Sequence, residues 1–331
     1  LHQNKWLEDK PALVVVPTSL LPNWENEIKK FSPGLKTYAY YDNNRNIKEA
    51  KKCQAVITTY GLIRTDINTF KTHDWEVIII DEAQNIKNPT SQQTKAIKSL
   101  KANHHIAMSG TPVENRLMDY WSVMDFAKSG LLMNKTSFSK VFEKPIMKER
   151  DHKAVNKFKK ITEPFLLRRM KTDKSIINDL PDKVVQDRFS VLTPSQAAIY
   201  QQVVNESIAI INSEKLDESN SKFKRQGLVL QLIMALKQIC NHPVQFLKSG
   251  HNDISLSGKS MMLIDTLESI IDANEKVLIF TQFKEMGDII CEQIKDAFNI
   301  KPIWLHGGIS LNERKKMVED LDEELGEIEL T

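Results

Sequence analysis

Between residues 12 and 127, short apolar runs alternate with stretches that are apolar on one side only. Ala12–Val16, Ala55–Thr59 and Val77–Ile80 are apolar or β-branched throughout, and Lys36–Tyr41 and His104–Met108 have strand length. Apolar runs this short, separated by helices, predict parallel strands covered on both faces. The helices are predicted over Leu20–Phe31, Thr90–Leu100 and Asn115–Ala127. In the first, Leu21, Trp24, Ile28 and Phe31 recur at helical spacing and Pro22 falls in the opening turn. From 130 to 245 the period becomes helical, with helices expected over Ile199–Ile211 and Leu228–Ile239 and a polar stretch, Asn212–Lys224, between them. From Gly258 the strand–helix rhythm returns. Helices are expected over Met261–Ile271, Lys284–Ala297 and Leu311–Leu321, and strands over Lys276–Phe280 and Ile303–Leu305. Two strands are too few for a complete α/β domain, so this last part reads as cut short at Thr331. The predicted organisation is a nearly complete α/β lobe (1–129), a mostly helical insertion (130–245) and the start of a second α/β lobe (246–331).

Composition narrows the function. The 331 residues include only 11 glycines, less than half the usual share of ~7%. No G-x-G-x-x-G and no G-x-x-x-x-G-K-[ST] occurs, which argues against a self-contained Rossmann dehydrogenase or P-loop kinase. Gly258-Lys259-Ser260 has the tail of such a loop. Asp253 stands where its first glycine belongs, and the polar run His251–Ser257 before it is no buried strand. No apolar run approaches a membrane span. The start, Leu1–Trp6, has no signal-peptide pattern and no initiator Met, so the chain reads as part of something longer. Cys53, Cys240 and Cys291 are far apart, which predicts neither a disulfide framework nor a zinc site and points to a reducing compartment. A net charge of +3 permits a nucleic-acid partner without requiring one.

The candidate chemistry lies where strands end. Asp81 and Glu82 follow Val77–Ile80, at the edge where parallel sheets bind ligands. There Asp81 could hold Mg²⁺ through water and Glu82 could deprotonate a water attacking a phosphate; a solvated strand end would carry the same string. Ser109-Gly110-Thr111-Pro112 follows the next strand, either as a bridge to those carboxylates or as a turn and helix cap. Pro17-Thr18-Ser19 and Thr58-Thr59-Tyr60 end two further strands with small hydroxyls and backbone N–H groups suited to a phosphate, or to ordinary capping. Phe280-Thr281-Gln282-Phe283 and Leu305-His306-Gly307-Gly308 each follow an expected strand in the second lobe, and either alone reads equally as a plain turn. The paired glycines there suggest an unusual backbone or a close approach. Arg168, Arg169 and Lys171 form a basic cluster, and the histidines lack ligand spacing.

The order of these elements resembles the Swi/Snf family of superfamily-two, helicase-like ATPases, bacterial or archaeal type. Pro17-Thr18-Ser19-Leu20-Leu21-Pro22-Asn23-Trp24-Glu25 is similar to its motif Ia, Asp81-Glu82-Ala83-Gln84 to motif II, and Ser109-Gly110-Thr111-Pro112 to motif III. Two family strings follow: Phe165-Leu166-Leu167-Arg168-Arg169-Met170-Lys171, and Leu236-Lys237-Gln238-Ile239-Cys240-Asn241-His242-Pro243. The resemblance implies two RecA-like lobes that bind ATP and Mg²⁺ and translocate on double-stranded DNA. It assigns Asp81 to the metal, Glu82 to the general base, and Gln84, Ser109, Gly110 and Thr111 to coupling. Pro17, Thr18, Ser19, Thr58, Thr59, Tyr60, Thr281, Gln282, His306, Gly307 and Gly308 line the DNA track. Trp24, Arg168, Arg169, Lys171, His242 and Pro243 are structural, and Gly258-Lys259 is a landmark of the second lobe. Implied surroundings are a bacterial or archaeal cytoplasm, nucleoid-associated, with DNA-bound proteins or RNA polymerase as candidate partners and no membrane. The family's Walker A loop and arginine-finger motif are absent from these residues, so this stretch alone is expected to hydrolyse ATP negligibly. The competing expectations are a non-catalytic docking scaffold with the same fold and a strand-separating helicase.

Overall fold

A computed structural model describes residues 7, 10–41, 45–50, 52–110, 116–169, 183–213, 221–310 and 313–318. The chain divides into two units, Leu1–Leu180 and Pro181–Thr331, so the helical stretch 130–245 is shared between them.

The first unit is built on strands β1 (Ala12–Val16), β2 (Thr37–Ala39), β3 (Ala55–Thr59), β4 (Trp75–Ile80) and β5 (Ala102–Ala107). All pair in parallel, in the order β2-β3-β1-β4-β5. The fold is thus parallel α/β, as the apolar runs predicted. The connecting helices are α1 (Leu21–Phe31), α2 (Ile47–Ala50), α3 (Tyr60–Thr65), α4 (Ile67–Lys71), α5 (Gln92–Lys98) and α6 (Leu117–Ala127). Every residue of β1 and β3 is buried, because both sheet faces are covered. On one face Leu13, Val15, Val56, Ile78 and Ile80 meet Ile63, Phe70, Ile97 and Phe126. On the other, Val14, Val16 and Ile57 meet Leu21, Trp24 and Ile28 of α1. Phe31, expected on that apolar stripe, lies at the end of α1 and is exposed under the Lys30 ammonium. Helices α7 (Lys135–Phe138), α8 (Lys144–Met147) and α9 (His152–Thr162) complete the unit. They close around Phe138, Phe142 and Phe158, packed on Tyr120 and Trp121 of α6.

Strand β4 begins two residues earlier than its apolar run, because Trp75 is buried and its indole donates to the Phe70 carbonyl. Strand β5 begins at Ala102, through a polar stretch that only its ladder with β4 makes a strand. It is the edge strand, so its side chains need not be apolar.

The second unit contains α10 (Pro194–Ser213), α11 (Ser221–Asn241), α12 (Pro243–Leu247), α13 (Gly258–Asp272) and α14 (Lys284–Phe298). Gln196, wholly buried, is its hydrogen-bond hub. Its Nε2 donates to the Ile239 carbonyl at 2.8 Å, and its Oε1 accepts from the backbone N–H of Thr193 and of Gly258. His242 caps α12 by accepting from the Val244 N–H, Pro243 occupies the first turn, and the other imidazole nitrogen meets the Asp253 carbonyl at 3.0 Å.

Two expectations are corrected here. Lys276–Phe280 and Ile303–Leu305 have no regular secondary structure and enter no ladder among the described residues. Leu278 and Phe280 are 72% and 89% exposed. A parallel strand is defined by its neighbours, and two short runs do not make a two-faced sheet. Of the two alternatives raised for Gly307 and Gly308, only the unusual backbone is set aside, since neither adopts positive φ. Gly308 instead approaches the His306 ring closely, its N–H donating to Nδ1 at 3.0 Å.

Candidate active site

Parallel pairing places the C-terminal ends of β1, β3, β4 and β5 along one edge, with Val16 beside Thr59, Val15 beside Ile80 and Ile80 beside Ala107. The residues that follow these strands are therefore neighbours: Pro17–Ser19, Tyr60, Asp81–Glu82 and Ser109.

Asp81 is held from all sides. Its backbone N–H donates to the Val15 carbonyl at 2.9 Å and its carbonyl accepts the Tyr60 hydroxyl at 2.6 Å. Its carboxylate accepts the Glu82 N–H at Oδ1 and the Trp24 indole N–H at Oδ2, both at 2.8 Å. Glu82 has φ +50° and ψ +57°, a left-handed conformation that costs a side-chain-bearing residue energy and persists only where its surroundings hold it. The holding contacts are visible on both sides, the Asp81 carboxylate before it and the Ala83 N–H to the Met108 carbonyl after it. From there a side-chain relay crosses to β5. Gln84 Nε2 donates to Glu82 Oε2 at 2.7 Å, and the Ser109 hydroxyl donates to Gln84 Oε1 at 2.9 Å.

The resemblance places Tyr60 on the DNA track and Trp24 among the structural residues; their hydrogen bonds to Asp81 are visible only in the fold. Burial, and then the negative charges of Asp81 and Glu82, push the Tyr60 phenol well above its ordinary range, so it remains a donor at any working pH. Thr58 and Thr59 are also buried. The Thr58 hydroxyl donates to the Tyr40 carbonyl, and the Thr59 hydroxyl caps α3 at the Leu62 N–H. The side-chain oxygens of all three thus meet partners inside the lobe. Thr18 and Ser19, in a single helical turn after β1, are exposed.

The donor set suits Mg²⁺. It is one hard carboxylate at a strand end, and no cluster of three His, Cys, Asp or Glu side chains occurs among the described residues. Mg²⁺ is ordinarily bound by one or two carboxylates, its own waters and substrate phosphates, not by an all-protein cage.

In the second unit, Thr281 and Gln282 line a cavity of about 500 Å³ with Lys237, Lys259, Asn241 and Phe280. Lys259 donates to Asn241 Oδ1 at 3.1 Å, and Gly258 opens α13 beneath the Ser257 cap. His306 and Gly308 lie on the turn after Ile303–Leu305, tied by Arg314 to the His306 carbonyl. Arg168 and Arg169 are exposed. Gly110 is exposed, and Thr111 and Lys171 lie outside the described residues. The three cysteines are free thiols, and no described helix is long and apolar enough to cross a membrane.

Similar proteins agree with this architecture. The SNF2-related domain family matches residues 1–245 and the helicase conserved C-terminal domain family matches 259–329. YwqA of Bacillus subtilis, a putative ATP-dependent helicase/translocase, is 37% identical over 317 residues, covering 93% of this chain and 34% of the relative. An uncharacterized ATP-dependent helicase of Mycoplasma genitalium is 32% identical over 290 residues, covering 86% of this chain and 26% of its own length. The Sulfolobus solfataricus SWI2/SNF2 ATPase core, solved in complex with dsDNA, is 39% identical with a TM-score of 0.53, covering 96% of this chain and 66% of that one. The chain thus spans about a third or less of these curated relatives. A sheet edge carrying Asp81, Glu82, Gln84 and Ser109, matched through family domains on both sides of residue 250, makes this chain a member of the SNF2-related, helicase-like ATPase family.

Proposed function

We propose that this chain is the acid–base and coupling core of an ATP-driven motor that translocates on double-stranded DNA and remodels protein–DNA complexes. The supporting observation is the relay from Glu82 through Gln84 to Ser109, which ties a strand-end carboxylate to the neighbouring strand end. Asp81 is the residue that orients Mg²⁺, which when bound neutralises charge on phosphate oxygens. Glu82 accepts the proton of the attacking water. Its Oε2 is held by Gln84, and Oε1 is the oxygen assigned to the water. Gln84 and Ser109 transmit the state of that carboxylate to the end of β5, with Gly110 and Thr111 continuing the segment. Thr18 and Ser19, with Pro17 setting their turn, meet one DNA strand through phosphates. Thr281, Gln282, His306, Gly307 and Gly308 do so in the second unit, where Lys237 and Lys259 add charge beside Thr281 and Gln282. Residues 1–129 and 246–331 serve as the two lobes, and 130–245 as the helical part between them in sequence. A nucleoid-associated role in a prokaryotic cytoplasm fits this activity.

The test uses the full-length protein. Duplex DNA is expected to stimulate ATP hydrolysis, and ATP to drive displacement of a triplex strand without separating the duplex. Hydrolysis indifferent to DNA would sink the motor reading in favour of a docking scaffold, and duplex unwinding would favour a helicase. Binding through phosphates also predicts a linear fall of log Kobs with log salt, of slope about −0.9 per neutralised phosphate, and little sequence preference. Fluorescence anisotropy on two unrelated duplexes across a salt series checks both.

Ser109→Ala removes one relay hydrogen bond, worth about 0.5–1.5 kcal/mol. Hydrolysis is expected to fall less than tenfold while triplex displacement per ATP falls further. Equal losses in both assays would remove Ser109 from a coupling role.

A further inference from the structure

The described tryptophans of the first unit do not use their indole N–H groups alike. Trp75 donates to the Phe70 carbonyl and Trp121 to the Met133 carbonyl, which is how a partly or wholly buried indole commonly satisfies its single donor. Trp24 donates instead to a carboxylate, and that carboxylate is Asp81. The ring is wedged between α1 and the sheet, against Val14, Val16, Leu21 and Ile57, so its position follows the helix.

Asp81 takes part in four hydrogen bonds. Three of them, to Val15, Tyr60 and Glu82, come from the sheet or the residues directly following its strands. The fourth, from Trp24, is the one that reaches the carboxylate from α1. Helix α1 follows the Thr18–Leu20 turn with no intervening residue. The exposed hydroxyls of Thr18 and Ser19 and the acid Asp81 are therefore joined through one short helical segment and one side chain.

We propose that Trp24 is a positioning residue that transmits duplex binding at Thr18–Ser19 to the metal-orienting carboxylate of Asp81. This rests on the DNA reading above and adds to it a physical route inside one lobe, from the strand-contacting turn to the acid. The indole holds one carboxylate oxygen while the Glu82 N–H holds the other, so a duplex that shifts α1 changes how well Asp81 is aimed at the ion.

The five tryptophans of the chain each give one indole cross-peak in a ¹H–¹⁵N spectrum, and Trp24→Phe identifies the one from Trp24 while keeping an aromatic ring in the wedge. In the wild-type chain that peak is expected to move when a short duplex is titrated in, and to move again in Asp81→Ala, where the acceptor is gone. In the full-length protein, Trp24→Phe is expected to raise the Mg²⁺ concentration for half-maximal hydrolysis about three- to tenfold, the equivalent of one net hydrogen bond. A merely structural ring would change melting temperature but not Mg²⁺ dependence. The proposal is overturned if the duplex binds by anisotropy while the Trp24 peak stays still, or if Mg²⁺ dependence is the same in Trp24→Phe. If no duplex binds, the DNA reading itself fails and the proposal falls with it, an outcome the anisotropy arm distinguishes from the first.

Discussion

Glu82→Gln in the full-length protein is expected to bind ATP and duplex DNA as the wild type does and to hydrolyse ATP about 10²–10⁴-fold more slowly, the usual worth of a positioned general base. The substitution is close to isosteric, and the new amide oxygen can still accept from Gln84 Nε2, so the relay to Ser109 survives. What is lost is the basic oxygen. The left-handed backbone at residue 82 is unaffected, because it is held by the Asp81 carboxylate and by the Ala83 bond to Met108 and not by the Glu82 side chain. Single-turnover hydrolysis with parallel binding measurements checks this. A variant with the wild-type rate would remove Glu82 from the general-base role, and a variant that no longer binds nucleotide would show that its carboxylate organises the site instead.

The second large effect concerns stability. A Cβ on Gly258 would lie 1.9 Å from the Val191 carbonyl oxygen, a backbone atom that no rotamer change can move aside. Gly258→Ala must therefore displace the segment before α10. That segment is pinned by Thr193, whose hydroxyl donates to the Leu256 carbonyl and whose N–H donates to the buried Gln196. Overpacking of a filled interior costs about 1–3 kcal/mol and occasionally more, and the loss of the Gln196 hub puts this case at the upper end. For a unit of this size each kcal/mol lowers the melting temperature by roughly 2–4 °C. Lys259→Ala, next door but exposed, is expected to stay within about 0.5 kcal/mol of wild type. It should also leave nucleotide affinity unchanged, since Lys259 donates to Asn241 and follows no strand. A Gly258→Ala chain that melts within about 1 °C of wild type, less than the shift expected from a single kcal/mol, would overturn this account. Loss of nucleotide binding in Lys259→Ala would revive the phosphate-loop reading of Gly258-Lys259-Ser260.

How much of this was legible beforehand differs from residue to residue. The position of Asp81 and Glu82 at the end of a buried strand could be read from the four apolar residues before them, and burial of β4 on both faces follows from that run. Thr18 follows the apolar run of β1 in the same way, whereas Ser109 follows a polar stretch that its ladder with β4 makes a strand. Thr58, Thr59 and Tyr60 stand at a strand end by the same logic, and what the run does not show is that their side-chain oxygens meet partners inside the lobe. A strand end can send its side chains inward as well as outward, and the composition of three residues does not distinguish the two. Nor did spacing reveal that the runs 276–280 and 303–305 enter no ladder among the described residues, since a ladder is a property of pairs.

What the amino-acid order determined by itself is local and periodic: which runs are buried on both faces, where each ends, and that the polar residues after them share one edge of a parallel sheet. These follow from hydrophobic burial and the strand repeat, which act over a few residues. The tertiary structure alone decided which polar atoms meet across that edge. Trp24 and Asp81 are 57 residues apart, Tyr60 and Asp81 are 21 apart, and Gly258 and Val191 touch through backbone. Hydrogen bonds and close packing depend on distances of tenths of an ångström between chain segments that no periodicity relates, so the links between the turn after β1, the acid and the relay appear only once the sheet is assembled.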